Sequence, residues 1–237
     1  ISQPLDDETL MQMHNQKRLK QFVDECLALN PRPSFVMNLG DTGDAGWTSL
    51  LKLYQKLMKP LVNAGMPVYT TVGNHDLDYA GIGRQDLAEM FDPLGPSQIG
   101  RSGSRYSFDY GGCHFIVMNN RPVTGLIRFI PEDIEWLRTD LRKVKKETRV
   151  MLFMHANLPD EDTHHIVELL QPFRKAVIFH GHSHSDAITR WGNVPVVVTG
   201  SLYGGKPEAG SYRMVTVTPE KIAAKTRDFG ADGVGWG

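Results

Sequence analysis

The chain has 237 residues, a formal net charge of −1, and 41% hydrophobic residues. This length allows one large domain or two small ones, and the composition is ordinary for a soluble globular protein. The near-neutral charge argues against binding extended nucleic acid through a broad basic surface. Cys26 and Cys113 are too few for a disulfide framework or a thiolate metal site, and no apolar run approaches the roughly 20 residues that span a membrane.

The first half of the chain predicts helices that alternate with buried strands. Apolar residues at helical spacing predict a helix that ends at "NPRP", residues 30–33. A strand is predicted at 34–39, a second amphipathic helix over 50–62, and another strand at 66–72. Gly, Pro and Ser residues between 80 and 103 predict a long surface loop.

The second half of the chain predicts a larger share of strands. A hairpin is predicted at 105–120 around "YGG", and a helix begins at "PEDIEWL". Further elements are a strand at 149–155, a helix at 160–172, a strand through "AVIFH", and β segments from 186 onward. This order predicts one α/β domain over residues 1–237, with a mixed sheet or two sheets stacked between helices.

Polar clusters follow four of the predicted strands. They are "GDTGD" (40–44), "GNHD" (73–76), "MHANLP" (154–159) and "GHSH" (181–184). One such cluster alone is commonly a turn or a cap, but ligands of α/β sheets bind beyond the carboxyl ends of strands, where four loops can converge. Carboxylate, amide and imidazole ligands without thiolate are typical of a catalytic Mn, Fe, Co or Zn site. The sequence therefore predicts a metal centre.

The order of these motifs resembles the signature of the calcineurin-like metallophosphoesterase superfamily. Four of its five motifs are present, and the likeness covers nearly the whole chain. "GNHD" is more similar to the cyclic-nucleotide and glycerophosphodiester phosphodiesterase branch than to the purple acid phosphatases, which carry "GNHE". The resemblance implies a four-layer α/β/β/α sandwich of two mixed β-sheets flanked by helices.

The resemblance also implies which residues bind metal. Asp41 would bridge two divalent or trivalent ions of Mn, Fe or Zn. One of these metal sites would be completed by Asn74, His155 and His182, and His184 would serve the other. Asp44 is expected to brace its loop rather than to bind metal.

The implied activity is the metal-dependent hydrolysis of a small phosphate ester, either a phosphodiester or a phosphomonoester, with diesters slightly favoured. A metal-bridged hydroxide would attack phosphorus in line, because two cations neutralise the phosphoryl oxygens and lower the pKa of bound water. His75 would protonate the leaving group, and Asp76 would orient or tune His75. These two residues are the predicted catalytic pair.

The family's first motif is Asp-x-His at the end of the first strand, before the first helix, and no Asp-x-His occurs in this sequence before the helix around Leu19. Ile1 and Ser2 resemble the residues that follow it, which predicts an N-terminally incomplete domain whose first strand is missing. Three explanations stay open: a strand upstream of residue 1, a truncation that costs one metal site its Asp and His, or a natural variant with a single metal or no activity.

The missing motif leaves an alternative to the hydrolase, a metal-binding scaffold that is catalytically impaired and retains only one metal ion. The missing motif also affects the prediction of the cellular compartment. We expect a soluble, cytoplasmic protein, unless an upstream segment carries a signal peptide. The expected partner is a small phosphate ester, with no extended nucleic acid and no membrane span, and the oligomeric state stays open.

Overall fold

The computed structural model describes residues 7–42, 48–76, 105–123, 126–173, 175–202 and 210–229. Its helices are α1 (Asp7–Ala28), α2 (Thr48–Asn63), α3 (Pro131–Leu141) and α4 (Asp160–Leu170). Its strands are β1 (Val36–Asn38), β2 (Val68–Thr70), β3 (Arg105–Tyr110), β4 (Cys113–Met118), β5 (Arg121–Val123), β6 (Leu126–Arg128), β7 (Arg149–Phe153), β8 (Lys175–His180), β9 (Ala187–Trp191), β10 (Val194–Val198), β11 (Ser211–Val217) and β12 (Ile222–Asp228).

Most of these helices and strands lie where the sequence predicts them. The β1 strand is shorter than the predicted 34–39, and the short β5–β6 hairpin lies where no element was predicted. The loop predicted at 80–103 and the residue Asp44 lie outside the described residues. Among the described residues, none of the helices combines the length and apolar character that a membrane crossing requires.

Six strands form the main sheet, in the order β3–β4–β7–β8–β10–β9. The four central strands are mutually parallel, and β3 and β9 pair antiparallel at the two edges. Outside the main sheet, β1 and β2 form a parallel pair, and β11 and β12 form an antiparallel pair. Parallel pairing brings the carboxyl ends of β7 and β8 to one edge of the sheet, where "MHANLP" and "GHSH" begin.

Three apolar clusters fill the spaces between the layers. On one face of the main sheet, Leu152 and its neighbours pack with α3 and α4, and on the other face Phe153 stacks on Phe179 with ring centroids 4.8 Å apart. This alternation follows from the two-residue period of a strand. A third cluster joins α1 and α2 to β2 and to Tyr212 of β11. The layers therefore follow the predicted α/β/β/α order, although the second β layer consists of the separate β1–β2 and β11–β12 pairs.

Candidate metal centre

Four loops at the carboxyl ends of strands carry the predicted metal ligands. Asp41 follows β1 and Asn74 follows β2, while His155 follows β7 and His182 follows β8. Because β1 is parallel to β2 and β7 is parallel to β8, each pair of loops leaves its strands at the same edge. The structure brings these four side chains together.

His155 lies at the centre of this group. Its Nε2 atom is 3.0 Å from Asn74 Oδ1, 3.1 Å from His182 Nδ1 and 3.2 Å from Asp41 Oδ2. Metal–ligand bonds of about 2.0–2.2 Å hold neighbouring donor atoms about 3 Å apart. The donor set and its spacing therefore fit one cation. Among the described residues, the compact group of acidic and imidazole ligands is Asp41, His155 and His182, with donor atoms within 4.8 Å of one another.

The tautomer of His155 is fixed by the main chain. Its Nδ1 atom lies 2.7 Å from the carbonyl oxygen of Leu39, and since a carbonyl can only accept, Nδ1 carries the proton. This hydrogen bond leaves the lone pair of Nε2 to face the other donor atoms. Such an outer hydrogen bond orients a metal-binding histidine and raises its basicity.

Burial and charge act in opposite directions on the pKa values of this group. Burial lowers the pKa of His155, but the hydrogen bond and charge of Asp41 outweigh it and the pKa is raised. Burial raises the pKa of Asp41, but His155 and the N–H of His75 outweigh it and the pKa is lowered. The pKa of His182 is lowered by burial and by the charge of His155. An ionised Asp41 carboxylate is the form that binds a cation.

Three site residues hold a left-handed backbone conformation. The φ angle is 53° at Asp41, 66° at His182 and 53° at His184. Such a conformation costs a non-glycine residue about 1–3 kcal/mol and persists only where the surrounding contacts impose it. All three are predicted metal ligands, so the backbone strain coincides with the residues that the motifs single out.

The loops after β1 and β2 touch at Gly40 and Gly73. A Cβ atom on Gly40 would lie 2.6 Å from the nitrogen of Gly73 and 2.8 Å from His155 Nδ1. A Cβ atom on Gly73 would lie 2.1 Å from Asp41 Oδ1. Both motifs therefore need glycine, because the main chains approach too closely for any side chain.

Asp76 links the same two loops. Its side chain is fully buried, with Oδ1 accepting a hydrogen bond from the N–H of Thr42 at 2.8 Å and Oδ2 accepting one from the N–H of Gly73 at 2.8 Å. The prediction that Asp76 orients His75 stays a prediction. These contacts add a role that the sequence did not indicate, a link between the loops of Asp41 and Asn74.

His75 and His184 lie on the exposed side of the group. The main-chain N–H of His75 donates to Asp41 Oδ1 at 3.0 Å, and His75 is exposed. His184 is also exposed and lines the same cavity as Asp41 and His155, but it is not part of the compact ligand group. The assignment of His184 to a second metal ion stays a prediction, as does the proton transfer by His75.

Two asparagines after β4 support the site, and the sequence had indicated no role for them. Asn119 Oδ1 accepts from the N–H of Val72 at 2.9 Å. Asn120, which is fully buried, accepts from the N–H groups of His155 and Ala156 at 3.2 Å each and donates to the carbonyl of Ala156 at 2.7 Å. The signal in the sequence was a polar pair directly after the apolar run "CHFIVM".

A cavity of about 620 Å³ runs from the candidate metal centre into the second β layer, between β1 and β11. Its helix-side wall includes Phe22 and Met58, and its opposite wall includes Met151 and Phe153 of β7. The sides are formed by β1 and β11, whose other edges pair with β2 and β12. The cavity therefore lies in the gap between the β1–β2 and β11–β12 pairs of the second β layer.

Comparison with known proteins agrees with this geometry. Residues 12–186, which include Asp41, Asn74, His155, His182 and His184, match the sequence model of the calcineurin-like phosphoesterase family. The chain belongs to this family. Membership in the calcineurin-like phosphoesterases confirms the predicted fold and the predicted phosphoester hydrolase class.

Two curated relatives of this family are phosphatases. Human serine/threonine-protein phosphatase CPPED1 is 26% identical over 230 residues, which cover 86% of this chain and 70% of that protein. Purple acid phosphatase 23 of Arabidopsis thaliana is 27% identical over 183 residues, which cover 68% of this chain and 38% of that protein. The chain thus spans well under half of the purple acid phosphatase.

Solved structures share the fold. GAP50 of Plasmodium, the anchor in the inner membrane complex, aligns with a TM-score of 0.53 at 15% identity, over 92% of this chain and 79% of that chain. At this identity the likeness concerns the fold alone, and function has to be argued from the site.

Proposed function

We propose that this chain hydrolyses phosphate esters with a metal ion held by Asp41, Asn74, His155 and His182. The observation that carries the proposal is the position of His155 Nε2, which lies 3.0–3.2 Å from an amide oxygen, an imidazole nitrogen and a carboxylate oxygen. The family match and the named phosphatases support the reaction class.

The residues of the site have different roles in the proposed reaction. A bound cation would neutralise charge on the phosphoryl oxygens and lower the pKa of a water molecule. Asp41 and Asn74 supply hard oxygen ligands, which suit Mn, Fe or Zn alongside imidazole. His75 stands beside Asp41 through its main-chain hydrogen bond and is exposed, so its ring can reach the leaving group of a substrate and protonate it.

We propose small phosphate esters as the substrates. The phosphatases among the relatives favour monoesters, whereas "GNHD" favours diesters. Hydrolysis of p-nitrophenyl phosphate and of bis-p-nitrophenyl phosphate, measured with Mn, Fe or Zn supplied, distinguishes the two. Metal binding with turnover of either compound supports the proposal, and less than one bound metal per chain without turnover overturns it.

The cavity bears on the number of metal ions. In β1, Val36 N–H donates to Pro67 and the carbonyl of Asn38 accepts from Thr71, so both residues face β2. Since main-chain groups alternate between the two edges of a strand, those of Met37 face the cavity. These groups present a strand edge that a further strand can pair with.

The edge of β11 across the cavity has the same property at Arg213. The carbonyl of Gly210 accepts from Phe229 on the β12 side, so the main-chain groups of Ser211 and Arg213 point the other way. Of these, the N–H of Ser211 already donates to the carbonyl of Ser201 at 2.8 Å. We propose that the family's first strand, ending in Asp-x-His, occupies this cavity and supplies ligands for a second metal ion beside His184. A chain extended upstream through that strand should bind two ions, and residues 1–237 should bind one. Equal metal content in the two chains would overturn this proposal.

A second candidate function is a metal-binding scaffold without turnover. No Asp-x-His precedes the helix around Leu19, which favours it, and a solved structure of similar fold, GAP50, is an anchor in the inner membrane complex of Plasmodium. One metal ion per chain without hydrolysis of either ester, in the extended chain as well, would establish this alternative.

The role of His75 can be tested separately. His75→Ala should keep metal affinity, because the ring is outside the compact ligand group, and should lose about 10²–10⁴-fold in rate. The loss should be largest for esters with poor leaving groups, which need the proton most. His165→Ala, which removes an exposed histidine of α4, is the matched control. A His75→Ala variant that loses metal would disprove the assignment.

A further inference from the structure

The segment from Gly181 to Asp186, which we name the histidine loop, joins β8 to β9 and carries His182 and His184. Its first end is fixed by the N–H of Gly181, which donates to the carbonyl of His155 at 2.8 Å. Its other end is fixed by the carboxylate of Asp186. No motif in the sequence assigns a role to this residue.

Asp186 contacts three separate groups. Its Oδ1 atom accepts from the N–H of Gly200 at 3.1 Å and lies 3.0 Å from Nη2 of Arg213, and its Oδ2 atom accepts from the hydroxyl of Ser211. A Cβ atom on Gly200 would lie 2.4 Å from Ser211 Oγ and 2.9 Å from Asp186 Oδ2. The carboxylate therefore occupies a fitted position between β10 and β11.

Arg213 is held in the same network. Its side chain is 8% exposed, and its Nε and Nη2 atoms donate to the carbonyl of Val198 at 3.2 and 3.0 Å. Val198 is the last residue of β10, and its register partner Ala187 follows Asp186 directly. Arg213 thus ties the end of the histidine loop to β10 and β11, and a charge-assisted contact of this kind is stronger than a neutral hydrogen bond.

The histidine loop needs such a restraint. His182 and His184 both have positive φ angles, 66° and 53°, and residues 182–186 are exposed. Strained residues in an exposed loop relax unless contacts on both sides impose their conformation. Within the loop, the N–H of Ser183 donates to Gly181 at 2.8 Å. Asp186 supplies the corresponding restraint on the far side of His184.

We propose that Asp186 is a positioning residue that holds the histidine loop so that His182 Nδ1 faces His155 Nε2. This inference deepens the proposed function and rests on metal binding at that group. Asp186 touches none of the reacting atoms and acts through the backbone of the loop. Its loss should weaken metal binding without removing a ligand.

The test compares Asp186→Ala and Asp186→Asn with the control Asp162→Ala, which removes a carboxylate of α4 paired with Arg128 at 2.8 Å. Mn²⁺ affinity is measured by calorimetry, and the absorption spectrum of Co²⁺ reports the geometry of the ligands. Asp186→Ala should lose about 10–100-fold in affinity, the usual effect of an outer partner of a metal ligand. Asp186→Asn should lose less, and Asp162→Ala should match the wild type.

Amide hydrogen exchange of residues 181–186 in the metal-free protein gives an independent measurement. Faster exchange in Asp186→Ala than in Asp162→Ala supports the proposal even if the wild type binds no metal, an outcome that would overturn the proposed function alone. Unchanged exchange together with Mn²⁺ affinity within twofold of the wild type would overturn the positioning role. If Asp186→Ala does not fold, Asp186→Asn is judged by the same two measurements.

Discussion

Two buried histidines that contact carboxylates lie at opposite ends of neighbouring strands. His155 follows the carboxyl end of β7 and faces Asp41 at 3.2 Å. His114 lies near the start of β4, with its Nδ1 atom 2.7 Å from Asp109 and its Nε2 atom 2.8 Å from Asp140. Because β4 and β7 run parallel, one histidine lies at the site edge of the sheet and the other at the far edge.

The difference between them lies in the second ring nitrogen. Both nitrogens of His114 contact carboxylates, so neither is left for a cation. In His155 one nitrogen donates to a carbonyl and the other faces three further donor atoms. A histidine–carboxylate contact therefore says little by itself about metal binding, and the atoms around the second nitrogen decide it.

The largest expected effect separates the two histidines. His155→Ala should lower metal affinity by more than about 100-fold, beyond the loss typical of an outer partner, because it removes the central ligand. His114→Ala should keep the affinity, since its ring lies at the other edge of the sheet. Calorimetric titration with Mn²⁺ measures both variants. Comparable losses in the two variants would show that the atoms around the second ring nitrogen do not decide metal binding.

A smaller effect is expected at Asp76, which supports the site without belonging to the compact ligand group. Asp76→Ala leaves the buried N–H of Gly73 and the half-buried N–H of Thr42 without this acceptor, at a cost of about 1–3 kcal/mol for the buried group. Denaturant unfolding measures the free energy. Asp24→Ala removes an exposed carboxylate from α1 and is the control, expected to change little. Equal stability of the two variants would show that the link between the loops is unimportant.

The smallest expected effect is the pH dependence at His114. Burial lowers the pKa of His114, but Asp140 and Asp109 outweigh it and raise the pKa above its usual 6.5. The raised pKa stabilises the fold fully below pH 6.5, and this contribution is lost as the pH rises through the folded-state pKa.

Thermal unfolding of His114→Gln and of the wild type tests this sign. The wild type should be the more stable protein at low pH, by about 1 kcal/mol or roughly 2–4 °C in Tm, and the difference should shrink as the pH rises. A difference that grows with pH would show that the neutral form of His114 is the one that stabilises the fold.

Local patterns in the sequence were sufficient for most elements of the fold. "NPRP" ends α1 because proline cannot continue a helix, and "YGG" forms the turn between β3 and β4. Period-two alternation placed Leu152 and Phe153 on opposite faces of the main sheet. The division of the second β layer into the β1–β2 and β11–β12 pairs was not predictable from local pattern, because pairing depends on which strand edges meet rather than on either strand alone.

The sequence by itself identified the residues of the candidate metal centre, because each of them lies within a few residues of a strand end and strand ends are local features. Only the tertiary structure decided how those donors are held. The tautomer of His155 depends on Leu39, 116 residues away, and Asp76 reaches Thr42 across 34 residues. Asp186 reaches Ser211 across 25 residues. Such contacts arise when separate strands pack at one edge, and no local spacing encodes which polar atoms will then meet.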